Sequence, residues 1–293
     1  MKAVIGTASI GMNYGISNQN NKFSKRNSEK LLSYCIKNKL SYFETSGSYG
    51  YAEDLLIKFS NKNNLKIIYK IPPISSETIN DNDLSKIYIN LNRTIKKFKK
   101  NSLKDLFLHS YSDLEKKGSE KLFNLLLNFK KNTQVQNIGV SLYDRNQVDS
   151  VLQNYDFDTI QIPFNILDNN FTKTNYLKKI KKRNIKIHAR SIFLQGLLLM
   201  DPVKINPFFD KIKPNLLSFN RYASKRNISK SSLCFNFVNS IKEIDKLIIG
   251  INNISHIDEI LKNLKLKKKY YRNINFNKNI DEKYTNPNKW ILK

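Results

Sequence analysis

Short apolar runs alternate along the chain with longer segments in which apolar residues recur at every third or fourth position. The short runs predict β-strands, and the longer segments predict amphipathic α-helices. The predicted strands are residues 3–7, 41–44, 65–70, 106–109, 136–141, 158–163, 185–189 and 247–249. A predicted helix follows each of them. Strands that alternate with helices in this way are typical of parallel α/β proteins.

Eight consecutive strand–helix units predict an α/β fold of the closed (β/α)8 type, the TIM barrel. The alternative is a doubly wound open sheet, which does not need eight similar units. We predict a single barrel domain over residues 1–264 and a basic tail over residues 265–293, which Trp290 holds against the barrel. The last barrel helix is expected to begin at Ser255, with Asp258 completing a capping box.

The composition is that of a globular protein without a membrane span. Hydrophobic residues fill 40% of the 293 positions, which is enough for a substantial core at this length. The apolar runs are far shorter than the about 20 residues of a membrane-spanning helix, and the N-terminus does not resemble a secretion signal. We therefore expect a cytoplasmic protein. Cys35 and Cys234 are expected to be reduced core residues, and the scattered histidines predict no metal site.

The formal net charge of +27 raises the question of an anionic partner such as nucleic acid. The lysines, however, are spread over helices and loops along the whole length, and no nucleic-acid recognition motif accompanies them. A general bias of the surface explains the charge better than a binding site does. An anion- or nucleic-acid-binding protein is the weakest of the functional alternatives, and we predict no specific nucleic-acid partner.

Glycines are concentrated at one end of the predicted strands. Of the nine glycines, only Gly118 lies away from the C-terminal end of a predicted strand. The other eight are Gly6, Gly11, Gly15, Gly47, Gly50, Gly139, Gly196 and Gly250. In a barrel these strand ends share one face, where active sites are built. Flexible backbone on that face predicts the close approach of a ligand, although turn chemistry alone accounts for part of the pattern.

Ionisable side chains mark the ends of three successive strands. Glu44 ends the second predicted strand, Lys70 the third and His109 the fourth, and Tyr49 lies in a glycine-containing turn after the second. Taken singly, each residue is explained equally well as an ordinary polar group at a strand end. Together they suit proton delivery to a carbonyl oxygen, because a lysine cation lowers the pKa of a tyrosine and a carboxylate holds that lysine in place. Histidine can orient the carbonyl.

Several blocks of sequence, in this order, resemble the aldo-keto reductases. They are IGTASIGMNYGI, Tyr49–Gly50 with Glu53, Lys70, DLFLHS, IGVSLYD, DTIQIPFNILD, HARSIFLQGLL and LIIGINN, which span nearly the whole chain. Members of that family are NADP-dependent (β/α)8 barrels with a catalytic Asp-Tyr-Lys-His tetrad. The block HARSIFLQGLLL is most similar to bacterial members associated with genes for surface sugars.

The resemblance implies roles for individual residues. Tyr49 matches the general acid, Lys70 the partner that lowers its pKa, and His109 the residue that orients the substrate. Glu44 stands at the position of the catalytic aspartate. The residues that match cofactor contacts are Ser141 and Gln161 at the nicotinamide carboxamide, Arg190 at the position of the stacking aromatic, Ser191 to Gly196 along the pyrophosphate, and Gly250, Asn252 and Glu259 over the adenosine phosphate.

The chain departs from the family pattern in three places. Glu44 is one methylene longer than the usual aspartate, and a displacement of about one ångström can cost around 100-fold in rate. Leu142 replaces the asparagine that commonly follows Ser141. Asn252 replaces the arginine expected at a 2′-phosphate, and Ile260 replaces a nearby asparagine. The resemblance implies NADP as the cofactor. Because the arginine expected at its 2′-phosphate is missing, NAD is the alternative.

The sequence thus predicts an oxidoreductase that transfers hydride from NAD(P)H to an aldehyde, a ketone or a sugar. The alternative from another class is a nucleotide-binding barrel with little catalysis, acting as a regulatory or interaction subunit. The expected partner is a small carbonyl substrate, and the expected state is a monomer or weak oligomer.

Overall fold

Eight parallel strands close into a barrel in the computed structural model, which describes residues 2–16, 24–168, 170–173, 175–265, 276 and 280–292. Each strand pairs with the next along the chain, and β8 returns to β1. The strands are β1 (Ala3–Gly6), β2 (Tyr42–Ser46), β3 (Lys66–Ile71), β4 (Leu103–Leu108), β5 (Asn137–Ser141), β6 (Thr159–Pro163), β7 (Lys186–Arg190) and β8 (Lys246–Gly250). The (β/α)8 prediction is therefore confirmed.

Helices connect the strands on the outside of the barrel. They are α1 (Ala8–Gly11), α2 (Lys25–Lys37), α3 (Ala52–Ser60), α4 (Asp81–Lys97), α5 (Ser119–Asn132), α6 (Arg145–Asn154), α7 (Asn170–Lys173), α8 (Tyr176–Lys182), α9 (Lys213–Lys225), α10 (Lys230–Asn239), α11 (Ile254–Lys265) and α12 (Glu282–Thr285). Short 3-10 helices cover Tyr111–Leu114, Leu194–Leu199, Pro207–Ile212 and Pro287–Lys289.

The strands are buried on both faces, as expected for a parallel sheet covered by helices. Every residue of β1 and β6 is buried, and each of β3, β4 and β5 has a single residue that is not buried, at the first position of β3 and β5 and at the second position of β4. One face of each strand packs beneath the helices, and the other fills the barrel interior, where Val4, Ile68, Phe107 and Ile248 form a separate apolar cluster. This packing fixes the strand ends and therefore the positions of the side chains that they carry.

Strand register gives the neighbours of the polar residues of interest. Glu44 lies beside Gly6 of β1, and Gly6 lies beside Gly250 of β8. Gln161 pairs in register with Ser141 of β5 on one side. Because all strands run the same way, these residues lie at the C-terminal end of the barrel, the end at which barrel enzymes build their sites.

The start of α11 differs from the sequence prediction. The helix begins at Ile254 rather than Ser255, and the Asn253 side chain accepts a hydrogen bond from the backbone N–H of His256 at 2.9 Å. Asp258, the expected second half of a capping box, instead accepts from the Tyr34 hydroxyl at 2.7 Å. Asparagine caps a helix as well as serine does, so two cap-forming residues separated by one position, Asn253 and Ser255, made this boundary ambiguous.

The described part of the C-terminal segment packs on the barrel through aromatic residues. The Trp290 ring lies edge-on to Phe209 with 4.9 Å between ring centroids, and its indole N–H donates to the backbone oxygen of Tyr284 at 3.1 Å. Most of residues 266–279 lies outside the described residues, so the division at residue 264 stays a prediction. Among the described residues, no helix is long and apolar enough to cross a membrane.

Candidate active site

A cavity of about 370 Å³ opens at the C-terminal end of the barrel. Ten of the twelve residues singled out from the sequence line it: Glu44, Tyr49, Lys70, His109, Ser141, Arg190, Ser191, Gly196, Gly250 and Asn252. The other two, Gln161 and Glu259, lie outside its wall. The structure therefore gathers side chains from β2, β3, β4, β5, β7 and β8 around a single space.

Glycine packing holds the turn that carries Tyr49. A Cβ atom added to Gly11 would lie 1.7 Å from the backbone oxygen of Tyr49, and one added to Gly50 would lie 2.4 Å from the backbone oxygen of Gly11. Gly50 also has a positive φ of 54°, which favours glycine. At these two positions the absence of a side chain serves contact between α1 and the Tyr49 turn. The expectation of ligand approach is therefore wrong for Gly11 and Gly50.

Tyr49 and His109 meet across the cavity. The phenol oxygen of Tyr49 lies 3.4 Å from Nε2 of His109, and the two rings are perpendicular at 5.5 Å between centroids. Burial lowers the pKa of His109 to about 3, and the cations Lys70 and Arg190 act in the same direction. The imidazole is thus neutral at physiological pH, so it can share a hydrogen bond with Tyr49 without contributing charge.

Tyr49 is held in its protonated form. Burial raises its pKa well above the usual value of 10.0, the charge of Glu44 adds to this rise, and the Arg190 guanidinium opposes it. The sequence predicted the opposite direction, because a nearby lysine lowers the pKa of a phenol. Among the described residues, no hydrogen bond joins Lys70 to Tyr49, and only 8% of the Tyr49 surface is exposed. Desolvation therefore outweighs the effect of the Arg190 cation on the pKa of Tyr49.

Lys70 and Glu44 form a buried ion pair inside the barrel end. Lys70 Nζ lies 2.9 Å from Glu44 Oε1, with side-chain exposures of 3% and 4%. Lys70 also donates to Oε1 of Gln161 at 2.6 Å, and Gln161 Nε2 donates to the other carboxylate oxygen of Glu44 at 2.5 Å. Burial lowers the pKa of Lys70, and the Glu44 charge opposes this shift.

Arg190 places a second cation on the cavity wall. Its guanidinium carbon lies 4.2 Å from the centre of the Tyr143 ring, and its Nη2 donates to the backbone oxygen of Leu142 at 3.2 Å. Its Nη1 lies 3.4 Å from the Ser191 hydroxyl. Stacking on an aromatic ring and bonding to a carbonyl fix a planar guanidinium well. Tyr143 thus occupies one face of the guanidinium.

The cavity wall also contains residues that the sequence did not single out. They are chiefly Met12 and Tyr14 after α1, Tyr143 after β5, His256 in α11, and Pro287 with Asn288 in the C-terminal segment. Tyr14 and Tyr143 fall within blocks that resemble the family, which was the available signal. Pro287 and Asn288 had no signal, because their place on the wall depends on how the C-terminal segment folds back.

Glu259 lies beside the main cavity. Its carboxylate accepts a short hydrogen bond from the Ser231 hydroxyl, and it lines a small hollow that shares Phe193, Leu199 and His256 with the cavity. Of this segment, Asn252 and His256 line the main cavity and Glu259 does not. The adenosine contact of Glu259 therefore stays a prediction.

The donors on the wall fit a nicotinamide nucleotide. The hydroxyls of Ser141 and Ser191 and the guanidinium of Arg190 suit a carboxamide and a phosphate. A Cβ atom added to Gly250 would meet nothing closer than Ser9 Oγ at 4.0 Å, so space is open beside the end of β8. Within the described wall, Lys70 and Arg190 are the only lysine or arginine residues, and Asn252 is a neutral neighbour for any 2′-phosphate.

Within the described ranges, no three histidine, cysteine or carboxylate groups lie together as potential metal ligands. The closed barrel brings a tyrosine, a histidine and a buried lysine–carboxylate pair together at the end where barrel enzymes build their sites. The chain belongs to the aldo/keto reductase family, whose family model matches residues 3–277.

Solved structures of aldo-keto reductases share this fold. A glycerol dehydrogenase from Gluconobacter oxydans is 15% identical, with a TM-score of 0.70 and coverage of 91% of this chain and 87% of that chain. An aldo-keto reductase from Bacillus halodurans, in its holo form, is 12% identical, with a TM-score of 0.72 and coverage of 92% and 88%. A protein described as a putative aldo-keto reductase from Pseudomonas aeruginosa is 13% identical, with a TM-score of 0.61 and coverage of 90% and 91%. Among curated proteins, no sequence matches significantly.

Proposed function

We propose that this protein uses NAD(P)H to reduce the carbonyl group of an aldehyde, a ketone or a sugar, with Tyr49 as the general acid. Membership of the aldo/keto reductase family supports an oxidoreductase. The observation that carries the finer proposal is the convergence of Tyr49, His109 and Lys70 on one cavity at the strand ends. The resemblance to members associated with surface sugars makes a sugar carbonyl one substrate class to test.

Tyr49 delivers the proton in this proposal. Its raised pKa keeps the phenol protonated at neutral pH, so the proton is present before the carbonyl arrives. A reduced nicotinamide, when bound, would supply the hydride. As negative charge develops on the phenol oxygen, Lys70 and Arg190 stabilise it from nearby positions in the wall, where low dielectric strengthens their effect.

The same environment favours reduction over oxidation. Oxidation of an alcohol would need Tyr49 as a base in its deprotonated form, and burial and the Glu44 charge both disfavour that form. Neutral His109 orients the carbonyl through its imidazole without competing as an acid, because its pKa is about 3. The protonation states of these two residues thus suit the reductive direction.

Cofactor choice depends on the end of the cavity near β8. The family resemblance implies NADP, and the neutral Asn252 makes NAD the alternative. Quenching of the intrinsic fluorescence by NADPH and by NADH measures both affinities directly. Failure of both nucleotides to bind would refute the proposal of a nicotinamide-dependent enzyme.

The rival function is a nucleotide-binding barrel with little catalysis. It draws support from the bonding of Lys70, which is directed to Glu44 and Gln161 rather than to Tyr49 in the described structure. Nucleotide binding with no turnover on any carbonyl would favour this regulatory or interaction subunit. We propose a cytoplasmic protein that acts as a monomer or weak oligomer in either case.

The decisive experiment is a panel of aldehydes, ketones and sugars followed at the nicotinamide absorbance. Tyr49→Phe should abolish turnover and leave cofactor affinity within about twofold. Tyr14→Phe is the matched control, because it removes the same hydroxyl from another tyrosine of the cavity wall and should retain most of the activity. Equal turnover of Tyr49→Phe and the wild-type protein would rule out Tyr49 as the acid.

A further inference from the structure

The cavity wall carries more positive charge than negative charge. Among its described residues the ionised side chains are Lys70, Arg190 and Glu44, so two cations face one carboxylate. The Glu44 carboxylate lies 2.9 Å from Lys70 Nζ and is paired with that ammonium. Burial lowers the pKa values of the two wall histidines, His109 and His256, so both are neutral at physiological pH. Arg190 therefore supplies a charge that the wall does not balance.

Neutral groups hold the Arg190 guanidinium in place. Its carbon lies 4.2 Å from the centre of the Tyr143 ring. Its Nη2 donates to the backbone oxygen of Leu142 at 3.2 Å, and its Nη1 lies 3.4 Å from the Ser191 hydroxyl. In the described part of the chain, no carboxylate forms an ion pair with it, and its buried Nε has no hydrogen-bond partner. Since a guanidinium stays protonated in proteins, Arg190 keeps its charge without a counter-ion.

The charge of Arg190 acts on the groups at which the carbonyl is expected to bind. The Tyr49 phenol oxygen and His109 Nε2 lie 3.4 Å apart and mark that place in the proposed function. Burial raises the pKa of Tyr49, and the Arg190 charge opposes that rise. Burial also lowers the pKa of His109, and the charges of Lys70 and Arg190 add to the decrease. The electric field of Arg190 therefore reaches the place of reaction.

A nicotinamide ring that reacts at this place must lie in the same field. Reacting atoms approach each other to about 3–3.5 Å, so the ring would lie directly beside a carbonyl held by Tyr49 and His109. The two redox states of the cofactor differ in the charge of this ring. Loss of a hydride to the carbonyl carbon turns the neutral ring of NAD(P)H into the ring of NAD(P)+, which carries one positive charge, and the Tyr49 proton goes to the carbonyl oxygen.

We propose that Arg190 makes the cavity selective for the reduced cofactor, because its unbalanced positive charge repels the cationic ring of NAD(P)+ and does not repel the neutral ring of NAD(P)H. The inference rests on the proposed function and adds to it a determinant of the redox state that is bound. For two unit charges about 8 Å apart at an effective dielectric constant of about 20, Coulomb's law gives roughly a 30-fold change in affinity. The oxidised cofactor formed by turnover is thereby bound weakly and dissociates more readily.

A ratio of two dissociation constants tests this inference. Oxidised and reduced nucleotides share the adenosine, the phosphates, the riboses and the carboxamide, so Kd for NADP+ divided by Kd for NADPH isolates the effect of the ring charge. The same ratio is taken for NAD+ and NADH. In isothermal titration calorimetry, the wild-type protein should bind the reduced form more tightly, and Arg190→Gln should lower the ratio by about tenfold or more. An unchanged ratio in Arg190→Gln would overturn the proposal.

Arg190→Lys and Tyr143→Phe are the matched controls. Lysine keeps the charge at position 190 and lacks the planar guanidinium, so the ratio should stay within about threefold of the wild-type value. Tyr143→Phe keeps the ring that lies against Arg190 and changes no charge, so it should also retain the ratio. If Arg190 instead held a phosphate of the cofactor, Arg190→Gln would weaken both redox states equally. That result, or an equal fall of the ratio in Arg190→Lys, would contradict a role of the charge.

Binding measurements keep this inference distinguishable from the proposed function. A protein that binds both redox states and reduces no carbonyl refutes the proposed function, and the ratio then still tests the role of Arg190. A protein that binds neither redox state refutes both. Far-ultraviolet circular dichroism and the melting temperature show whether Arg190→Gln is folded, and Arg190→Met is the neutral replacement if it is not. In an active protein, the inhibition constant of the oxidised cofactor, relative to Kd of the reduced one, should fall about tenfold in Arg190→Gln, and an unchanged value would contradict the inference.

Discussion

The two ends of the barrel each bury a carboxylate but surround it differently. At the C-terminal end, Glu44 is paired with the Lys70 cation beside an open cavity. At the N-terminal end, Asp105 of β4 is 2% exposed and is bonded by the Tyr42 hydroxyl and by the amide of Asn137. Glu44 thus belongs to an ion pair beside the cavity, whereas Asp105 accepts hydrogen bonds from neutral side chains.

Electrostatics sharpen this difference. Burial raises the pKa of Asp105 above its usual value of 3.8, and hydrogen bonds from Tyr42 and Asn137 and the charges of Lys186 and Lys246 only partly offset the rise. A buried carboxylate without a paired cation is costly to ionise, whereas a buried carboxylate paired with a cation stays ionised more readily. In barrels, polar residues at the C-terminal end serve chemistry and those at the N-terminal end serve stability. Mutations at the N-terminal end should therefore change stability alone, whereas mutations of the ion pair at the C-terminal end should also change activity.

The largest effect is expected from Lys70→Met. It leaves the Glu44 carboxylate buried without its cation, and breaking a buried ion pair in this way costs about 3–5 kcal/mol of unfolding free energy. Carbonyl reduction should fall below detection. Urea unfolding and turnover measure the two effects, and a stable, active Lys70→Met variant would contradict the assignment of the pair to the site.

Asp105→Leu should destabilise the protein without inactivating it. The substitution leaves the Tyr42 hydroxyl and the Asn137 amide without their acceptor, and each buried unsatisfied group costs about 1–3 kcal/mol. Turnover per folded molecule should stay within about twofold of the wild-type value. A large loss of kcat, measured at a temperature where the variant is fully folded, would show that the two ends are coupled.

A buried histidine of β7, His188, leads us to expect that the stability of the protein depends on pH. His188 is stacked on Phe107 with 5.7 Å between centroids, and burial lowers its pKa to about 3. The unfolded chain binds a proton near pH 6.5 that the folded protein rejects, so stability is lost as pH falls below 6.5. At pH 5 this loss is about 2 kcal/mol, from about 1.4 kcal/mol per pH unit.

His188→Gln should remove that part of the acid sensitivity. Urea unfolding of the variant at pH 7 and pH 5 should therefore differ by about 2 kcal/mol less than it does for the wild-type protein. His109 titrates in the same range in the cavity and remains in both proteins, so it cancels in the comparison. An unchanged difference between the two pH values would show that His188 is not held neutral.

The smallest effect is expected from Tyr42→Phe. This change removes one hydrogen bond to Asp105 and retains the ring on which Lys246 Nζ lies, 4.7 Å from its centre. The expected loss is about 1 kcal/mol of unfolding free energy, with no change in kcat or cofactor affinity. Any change in kcat would contradict the separation of the two ends.

Much of the site could be predicted because it depends on strand order. Successive parallel strands lie side by side, so Glu44, Lys70 and His109 at three successive strand ends had to approach each other once the barrel closed. The short apolar runs located all eight strands, because a covered parallel sheet needs residues buried on both faces.

Other features depend on tertiary contacts that the sequence does not encode locally. The direction of the pKa shift of Tyr49 is set by burial, which spacing along the chain does not reveal. The bonding of Gln161 depends on the reach of Glu44 across the barrel. Two of the glycines at the strand ends serve backbone packing rather than a ligand, because Gly11 packs on the backbone of Tyr49 and Gly50 packs on the backbone of Gly11.

That contact between Gly11 and Gly50 has an evolutionary consequence. A side chain at Gly11 would meet the backbone oxygen of Tyr49, and one at Gly50 would meet the backbone oxygen of Gly11. A substitution at either position therefore displaces the Tyr49 turn, and no second substitution within the pair restores the space. The two positions therefore form a joint constraint on drift. In relatives with little remaining identity we expect both glycines to be retained, and a line of descent that loses either would be one in which Tyr49 no longer needs to be held in place.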